Sequence, residues 1–322
     1  MTERARDRVK GAGAARGMAI AGGCLLLGAS LLTSACGGGQ ANVDEREQQL
    51  AEATRVAEEA ARQLQEEADA LRAAAAEAVR GADLATILAS PHRSDENRAR
   101  DTWRHPAETL AFFGLQPDMT VIEIAPGRGW YAEIITPFLA GRGTYIAALP
   151  DPEGPRARYR QGWIDATAAM PELYAGSQTV VFDPPGGDLG PEQSADLVLT
   201  FRNAHSWYRD GVADAAFAQL FQVLRPGGHL GVVQHRARPD ADPDAALAAG
   251  YVPEAMLIAT AEAAGFVLAA RSEINANPAD TTDHPDGVWS LPPTLRGGDA
   301  DRELYEGIGE SDRMTLLFRR PE

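Results

Sequence analysis

Between residues 120 and 271, short runs of β-branched and aliphatic residues alternate with stretches of helical periodicity, which leaves the chain few architectures. The spacing predicts strands at 120–124, 144–149, 178–182, 195–201, 229–235 and 266–271, and helices at 129–140, 155–170, 212–224 and 253–264. Most successive strands are separated by a helix and cannot pair as hairpins. They are expected to lie parallel, with helices over both faces, in a doubly wound α/β sheet. "HPAETLAFFGLQPDM" adds an amphipathic helix with Pro106 in its first turn and Gly114 as its stop, and "MTLLFRR" supplies a last strand. The globular domain is expected over 84–322. Residues 273–311, rich in Pro, Asp and Gly, interrupt the pattern, and an aperiodic stretch of that length inside a compact domain is expected to be a lid.

The first of these strands carries a charge. In "VIEIAPGRGWYAEI" an apolar strand runs into a glycine turn and then a helix, yet Glu123 sits inside the strand, four residues before Gly127. In doubly wound sheets ligands bind beyond the carboxyl ends of the strands, where the first strand turns into its helix. Gly127 and Gly129 allow close backbone approach, and the helix start near Trp130 directs amide donors there. Gly127 to Ala132 satisfy G-x-G-x-x-A, but a pyrophosphate would be repelled by the carboxylate just before the turn. Glu123 suits a cation, or a ligand offering N–H and O–H donors.

These residues resemble those of the class I S-adenosylmethionine (SAM) dependent methyltransferases. "VIEIAPGRGWYAEI" is similar to their first motif, "DLVLTFRNAHSW" to their fourth-strand motif and "LFQVLRPGGHLGVV" to their turn into the fifth strand, and "ESDRMTLLFRRP" fits the closing antiparallel strand. Arg104 to Pro106, "HRA" at 235–237 and "NPAD" with "VWSLPP" within 277–293 resemble a poorly characterised, often exported branch of predicted methyltransferases. The resemblance covers residues 85–322. It implies a Rossmann-like seven-stranded sheet and SAM as cofactor. Glu123, Ala125, Gly127, Gly129 and Trp130 would form the cleft for the methionine part, with Glu123 engaging the ammonium group. Asn203 and His205 would flank the methyl group. Ala125 stands where the family has the first glycine of its run. The acidic residue expected at the end of the second strand to accept from the ribose is missing from "TYIAALP", and Asp151, slightly further on, is the substitute.

Methyl transfer needs alignment above all, with the acceptor about 3–3.5 Å from the methyl carbon. A hydroxyl or amine acceptor also needs a proton taker, for which His205 and His235, at carboxyl ends of central strands, are candidates. Each could instead be a satisfied structural histidine. Arg236 either holds an anionic acceptor or pairs with a lid carboxylate, Asp280 or Asp283, and the pairing is expected. Trp207, Tyr208 and Trp289 would line an apolar acceptor pocket or simply pack the lid. Arg104 and His105 would close over the cofactor. His205, His235, Asp280, Asp283 and His284 lack the tight spacing of a metal site, so none is expected. No G-x-S-x-G elbow and no G-x-x-x-x-G-K loop occurs.

The formal charge of −16, without a basic stripe, sets the chain's own field against nucleic-acid binding. Its N-terminus differs in composition. Five Lys/Arg precede the apolar run "MAIAGGCLLLGASLL", which ends in "TSAC", the arrangement of a secretory leader. The run is shorter than the ~20 residues needed to span a bilayer. It resembles the lipobox of bacterial lipoproteins, with Thr33 where Leu is usual and Cys36 as the lipidated first residue; an ordinary signal peptide or an uncleaved anchor is the alternative. Losing residues 1–35, which hold five Lys/Arg and two Asp/Glu, a net +3, would take the charge from −16 to −19. Both cysteines, Cys24 and Cys36, lie in this region, so the rest of the chain has neither disulfide nor thiolate. Residues 36–43 read as a flexible tether. A long Ala/Glu-rich helix is expected over 44–83, with Leu50, Ala57, Leu64 and Leu71 seven apart on a narrow seam. That helix is either a solvated spacer or a weak coiled coil joining copies of the chain over 44–80. The expectation is therefore an exported, membrane-tethered, periplasm-facing enzyme that methylates a small molecule or envelope component. The alternative is a lipoprotein that keeps the fold as a binding or scaffolding module.

Overall fold

Eight strands form one sheet: β1 (Thr120–Ile124), β2 (Thr144–Leu149), β3 (Gln178–Asp183), β4 (Gly186–Asp188), β5 (Ala195–Phe201), β6 (Leu224–His235), β7 (Val267–Ser272) and β8 (Arg313–Arg319). Their order is β4-β3-β2-β1-β5-β6-β8-β7. The computed structural model describes residues 41–322, so the expected leader, Cys36 and the start of the tether lie outside the described residues. The chain divides into two compact units, Met1–Gln63 and Leu64–Glu322. Helix Ala41–Ala78 begins in the first, three residues before the expected start, and Leu50, Leu64 and Leu71 on its seam are all exposed. Among the described residues no helix is long and apolar enough to cross a membrane.

Strands β3, β2, β1, β5 and β6 are mutually parallel, and β8 runs antiparallel between β6 and β7. The eighth strand, β4, was not expected. It folds back on β3 through "GGD", which has no apolar alternation to betray a strand. Gly187 is required there, because its φ is +93° and a Cβ would lie 2.8 Å from Val181 O and Asp183 N.

Side chains of a strand alternate between faces, so each buried strand feeds two cores. Ile122, Val198, Leu230 and Leu316 pack with Phe217, Leu220 and Leu257 of helices Ala213–Val223 and Glu254–Ala263. Val121, Leu197 and Leu199 pack on the other face with Ile134, Ile135 and Leu139 of helix Ala132–Leu139, and with Leu110 of helix Pro106–Phe112. Glu123 shares the second face with Val121 and stands level with Ala147 of β2 and Leu199 of β5. The helix after β1 starts at Ala132, not at 129. Gly127 and Gly129 have φ of +62° and +80°, a hand that a right-handed helix cannot absorb, so residues 125–131 stay a turn.

β1 hands the chain to β2 on one side, while β5 continues the sheet on the other. Order reverses at this point, which leaves a crevice beyond the carboxyl ends of β1 and β5.

Candidate functional site

Two cavities open in that crevice and share a wall of Ala125, Gly127, Arg202, Asn203, His205 and Trp289. The first, of about 370 Å³, is lined by Glu123, Arg104, Arg202, His205, His235 and Glu310 among others. The second, of about 720 Å³, extends past the ends of β2 and β3 to Pro150, Phe182 and Trp207. The interrupting segment 273–311 forms part of the wall: Val288, Trp289, Pro292, Pro293, Thr294, Glu310 and Ser311 all face the first cavity.

The cavity rim is strained. Ala125 after β1 and Arg202 after β5 have φ of +47° and +65°, and His105, next to Arg104, has +39°. Non-glycine residues take this conformation at a cost of about 1–3 kcal/mol each and persist only where the surroundings force them to. At Ala125 and Arg202 the backbone N–H is captured across the sheet, by Ala148 O at 2.8 Å and by Val233 O at 2.7 Å. The two strand ends are thereby bent open at the crevice.

Glu123 is 2% exposed. Tyr145 on β2 donates its hydroxyl to Glu123 Oε2 at 2.7 Å, while Oε1 has no hydrogen-bond partner. Burial pushes the carboxyl up to about 7; the Tyr145 hydrogen bond and the charge of Arg202 oppose that shift only in part. The group is thus half-ionised near neutrality and gains most from a donor or cation delivered at Oε1.

The histidines meet with ring centroids 5.8 Å apart. Ala204 N donates to Gln234 Oε1 at 3.0 Å, which turns Gln234 Nε2 toward His205 Nδ1 at 3.3 Å. Nδ1 of His205 is therefore an acceptor, and its neutral ring carries the proton on Nε2. His235 Nδ1 lies 2.6 Å from Ser311 Oγ, and in the tautomer that donates Nδ1–H there Nε2 is the unprotonated acceptor. Burial first, then neighbouring positive charge from Arg209 and Arg202, brings His205 down to about 4. Burial, His205 and three arginines depress His235 well below its usual value. Both rings are neutral at pH 7, and the basic nitrogen of His205 is the one held by Gln234.

Around Glu310 the chain gathers four guanidiniums that sequence reading did not bring together. Arg100 Nε donates to Glu310 Oε1 at 2.7 Å, Arg104 Nε to Oε2 at 2.9 Å and Arg313 Nη1 to Oε2 at 3.0 Å, and Arg202 adds its charge from nearby. Burial raises Glu310, but these arginines outweigh it and hold the carboxyl near 2. Burial and mutual repulsion lower Arg104 to about 9 and Arg202 to about 10.

Other expected site residues lie elsewhere or act differently. Trp130 lines the first cavity, but its indole N–H is given to Asn97 O and its ring lies under Arg104 and Arg93, so it fastens the N-terminal segment to the turn. Asn203 lines both cavities and donates to Ile124 O at 2.8 Å, tying β5 to β1. Gly129 does not face the cavity; a Cβ there would lie 2.8 Å from the Tyr174 hydroxyl. Asp151 lines neither cavity, because its carboxylate folds back onto Glu153 N. Among the described residues the only carboxylate lining the second cavity is Asp210, shared between Arg156 and Arg209. His105 also stays outside the lining, with Nδ1 buried and unpartnered. Trp207 is core, between Phe182 and Phe217, and shows one edge to the second cavity. Tyr208 lines neither cavity; its hydroxyl reaches Met256 O.

Arg236 was expected to pair with Asp280 or Asp283. It pairs instead with Asp312 and Glu273, on a separate cavity of about 1030 Å³. Asp280 accepts from Tyr251, Thr282 N and Asp312 N and lies 2.9 Å from His284 Nε2, which leaves it no room for a guanidinium. Among the described residues no group of three or more His, Cys, Asp or Glu is placed to hold a metal ion.

No family model and no curated protein matches this chain. Solved structures do resemble it. A SAM dependent methyltransferase from Aquifex aeolicus is 13% identical, over 69% of this chain and 93% of its own, with a TM-score of 0.46. A putative sarcosine dimethylglycine methyltransferase from Galdieria sulphuraria is 13% identical over 70% and 86%, with a TM-score of 0.48. The [4+2]-cyclase SpnF is 16% identical over 68% and 80%, with a TM-score of 0.49. Solved structures similar to this chain thus include SAM-dependent methyltransferases.

Proposed function

We propose that this protein is a SAM-dependent methyltransferase that works in the crevice between β1 and β5. One observation carries the reading: a buried carboxylate and a buried guanidinium face the same cavity, each with a free hydrogen-bonding atom. Glu123 Oε1 is unpartnered, and Arg104, 1% exposed, gives only its Nε to Glu310. That pair matches an amino-acid zwitterion, with the ammonium at Glu123 and the carboxylate at Arg104. A phosphate-binding loop has no use for the carboxylate. The adjoining cavity, with Phe182 and Trp207 in its wall and Asp210 at its rim, would take the adenosyl part.

When bound, SAM supplies an electrophilic methyl group on a sulfonium. The chain's own task is then to orient the acceptor and dispose of its proton. His205, held in one tautomer by Gln234, points an Nε2–H donor and orients by hydrogen bonding. His235, backed by Ser311, accepts the proton at Nε2. Trp289 packs 6.0 Å from His205 and limits water at that point.

Calorimetric titration of the protein with SAM and with its demethylated product, S-adenosylhomocysteine, tests the reading. Saturable binding of both is expected. In a turnover assay with a mixed small-molecule extract, His235→Asn should lose product formation at unchanged cofactor affinity. No heat with either ligand would end the proposal. The second reading, a binding module without turnover, is favoured by the lack of a ribose-accepting carboxylate at the end of β2. Cofactor binding with no product from any acceptor class would select it.

We further propose that the domain is membrane-tethered through a lipidated Cys36 and faces the periplasm, as the leader sequence suggests. Mass spectrometry of the mature N-terminus is expected to find the acyl groups on Cys36, and an unmodified cysteine there refutes the tether. Through the 44–80 seam the copies would associate weakly at best, because alanines bury little area.

A further inference from the structure

We propose that Arg202 anchors an oxyanion of the methyl acceptor, so that the substrate is a small molecule bearing a carboxylate or phosphate. The acceptor role rests on the methyl-transfer reading; the anion site does not.

The charges in the first cavity do not balance. Arg100, Arg104, Arg202 and Arg313 act on one ionised carboxylate, Glu310. Asp101 and Glu133 are taken by Arg93. Three positive charges are left without a counter-ion inside the cluster, and Glu123, when ionised, offsets one. Leaving charge unpaired in a low-dielectric site is costly, and proteins do so where a ligand completes the set. The separate cavity around Arg236 shows the contrast: that guanidinium has Asp312 and Glu273 at 2.7–3.1 Å and needs nothing more.

Arg202 is the member of the cluster without protein partners. Among the described residues its side chain makes no hydrogen bond and no ion pair, although its strained backbone holds it at the boundary of both cavities. Arg202 also acts electrostatically on both His205 and His235. An anion seated on its guanidinium would therefore hold the rest of the same molecule beside the two rings. SAM, with a sulfonium and an ammonium against one carboxylate, is a net cation, so even with its carboxylate on Arg104 it leaves the charge of Arg202 for the acceptor to offset. An anionic acceptor also favours the imidazolium that forms when His235 takes the proton. In that step the acceptor's lone pair forms the bond to the methyl carbon, the carbon–sulfur bond breaks with its electrons going to sulfur, and the acceptor's proton passes to His235 Nε2.

The test is calorimetry on the full protein with inorganic phosphate and with succinate, each in the absence and presence of S-adenosylhomocysteine. At least one anion is expected to bind saturably alone, to weaken at least tenfold in Arg202→Gln, and to tighten in the presence of S-adenosylhomocysteine. Phosphate alone, succinate alone, or both, identifies the acceptor's oxyanion. Arg202→Gln removes an unpartnered charge and is expected to fold, which a urea titration checks. Anion binding that survives Arg202→Gln unchanged, or no binding of either anion, overturns the inference even where S-adenosylhomocysteine binds. Anion binding lost in Arg202→Gln while S-adenosylhomocysteine fails to bind keeps the site and removes the methyl-transfer reading.

Discussion

Replacing Glu310 with glutamine is expected to lower the unfolding free energy by about 3–5 kcal/mol, the usual cost of leaving one side of a buried ion pair alone. Arg104 and Arg313 are almost wholly buried, and Glu310 is the carboxylate they share. Glutamine keeps the shape and one acceptor but not the charge, so the guanidiniums would repel across a low-dielectric pocket. Against a total stability of about 5–15 kcal/mol the variant would be marginal. The sign of the pH dependence provides a second check. Glu310 titrates near 2 in the folded state, below its unfolded value of 4.5. Its stabilisation is therefore complete above 4.5 and is lost as pH falls toward 2. Urea midpoints should show wild type weakening through that window, and the glutamine variant, already weak, losing much less. A variant within about 1 kcal/mol of wild type at pH 7 would mean that the cluster is solvated and not buried.

Glu123→Gln should act in the opposite direction on stability and weaken cofactor affinity. The folded-state value near 7 lies above the unfolded 4.5, so wild type loses stability as pH rises from about 4.5 through 7. At one pKa unit per 1.36 kcal/mol the loss is about 2.5 kcal/mol between pH 5 and 8. Glutamine keeps the hydrogen bond from Tyr145 through its carbonyl and has no proton to lose, so the variant should gain on wild type at pH 8 and not at pH 5. His205 and His235, depressed by burial, make both proteins more stable as pH rises, and this cancels in the comparison. The same substitution removes the partner of the ammonium group. A hydrogen bond to a charged group contributes about 1.5–3 kcal/mol, so S-adenosylhomocysteine should bind about 10- to 100-fold more weakly. Equal pH profiles for the two proteins would show that Glu123 stays ionised and hydrated. Equal affinities would show that the ligand's cationic end lies elsewhere.

The parts of the site legible in the sequence are those that a local rule places. Glu123 and Gly127 stand out because a charge interrupts an apolar strand and a glycine follows at its end. His205 and His235 were placed by their strand ends, and the cavity does bring them together. Arg236 went to the wrong partner because Asp280, Asp283, Glu273 and Asp312 are equally plausible acids by composition. The antiparallel pairing of β6 with β8 chooses among them by setting Asp312 beside Arg236. Arg202 and Glu310 had no signal at all. In a chain with 24% charged residues, one more arginine after a strand reads as a solvated turn.

Strand and helix positions follow from side-chain periodicity, which acts over a few residues and survives without tertiary context. Six of the strands and the closing one were therefore readable from the sequence alone, with ends shifted by a residue or so at most except in β6. That four guanidiniums meet one carboxylate was decided only when the sheet order brought residues 100, 104, 202 and 313 around residue 310. Electrostatic partnership depends on distance and burial, which the fold creates between positions up to 210 residues apart.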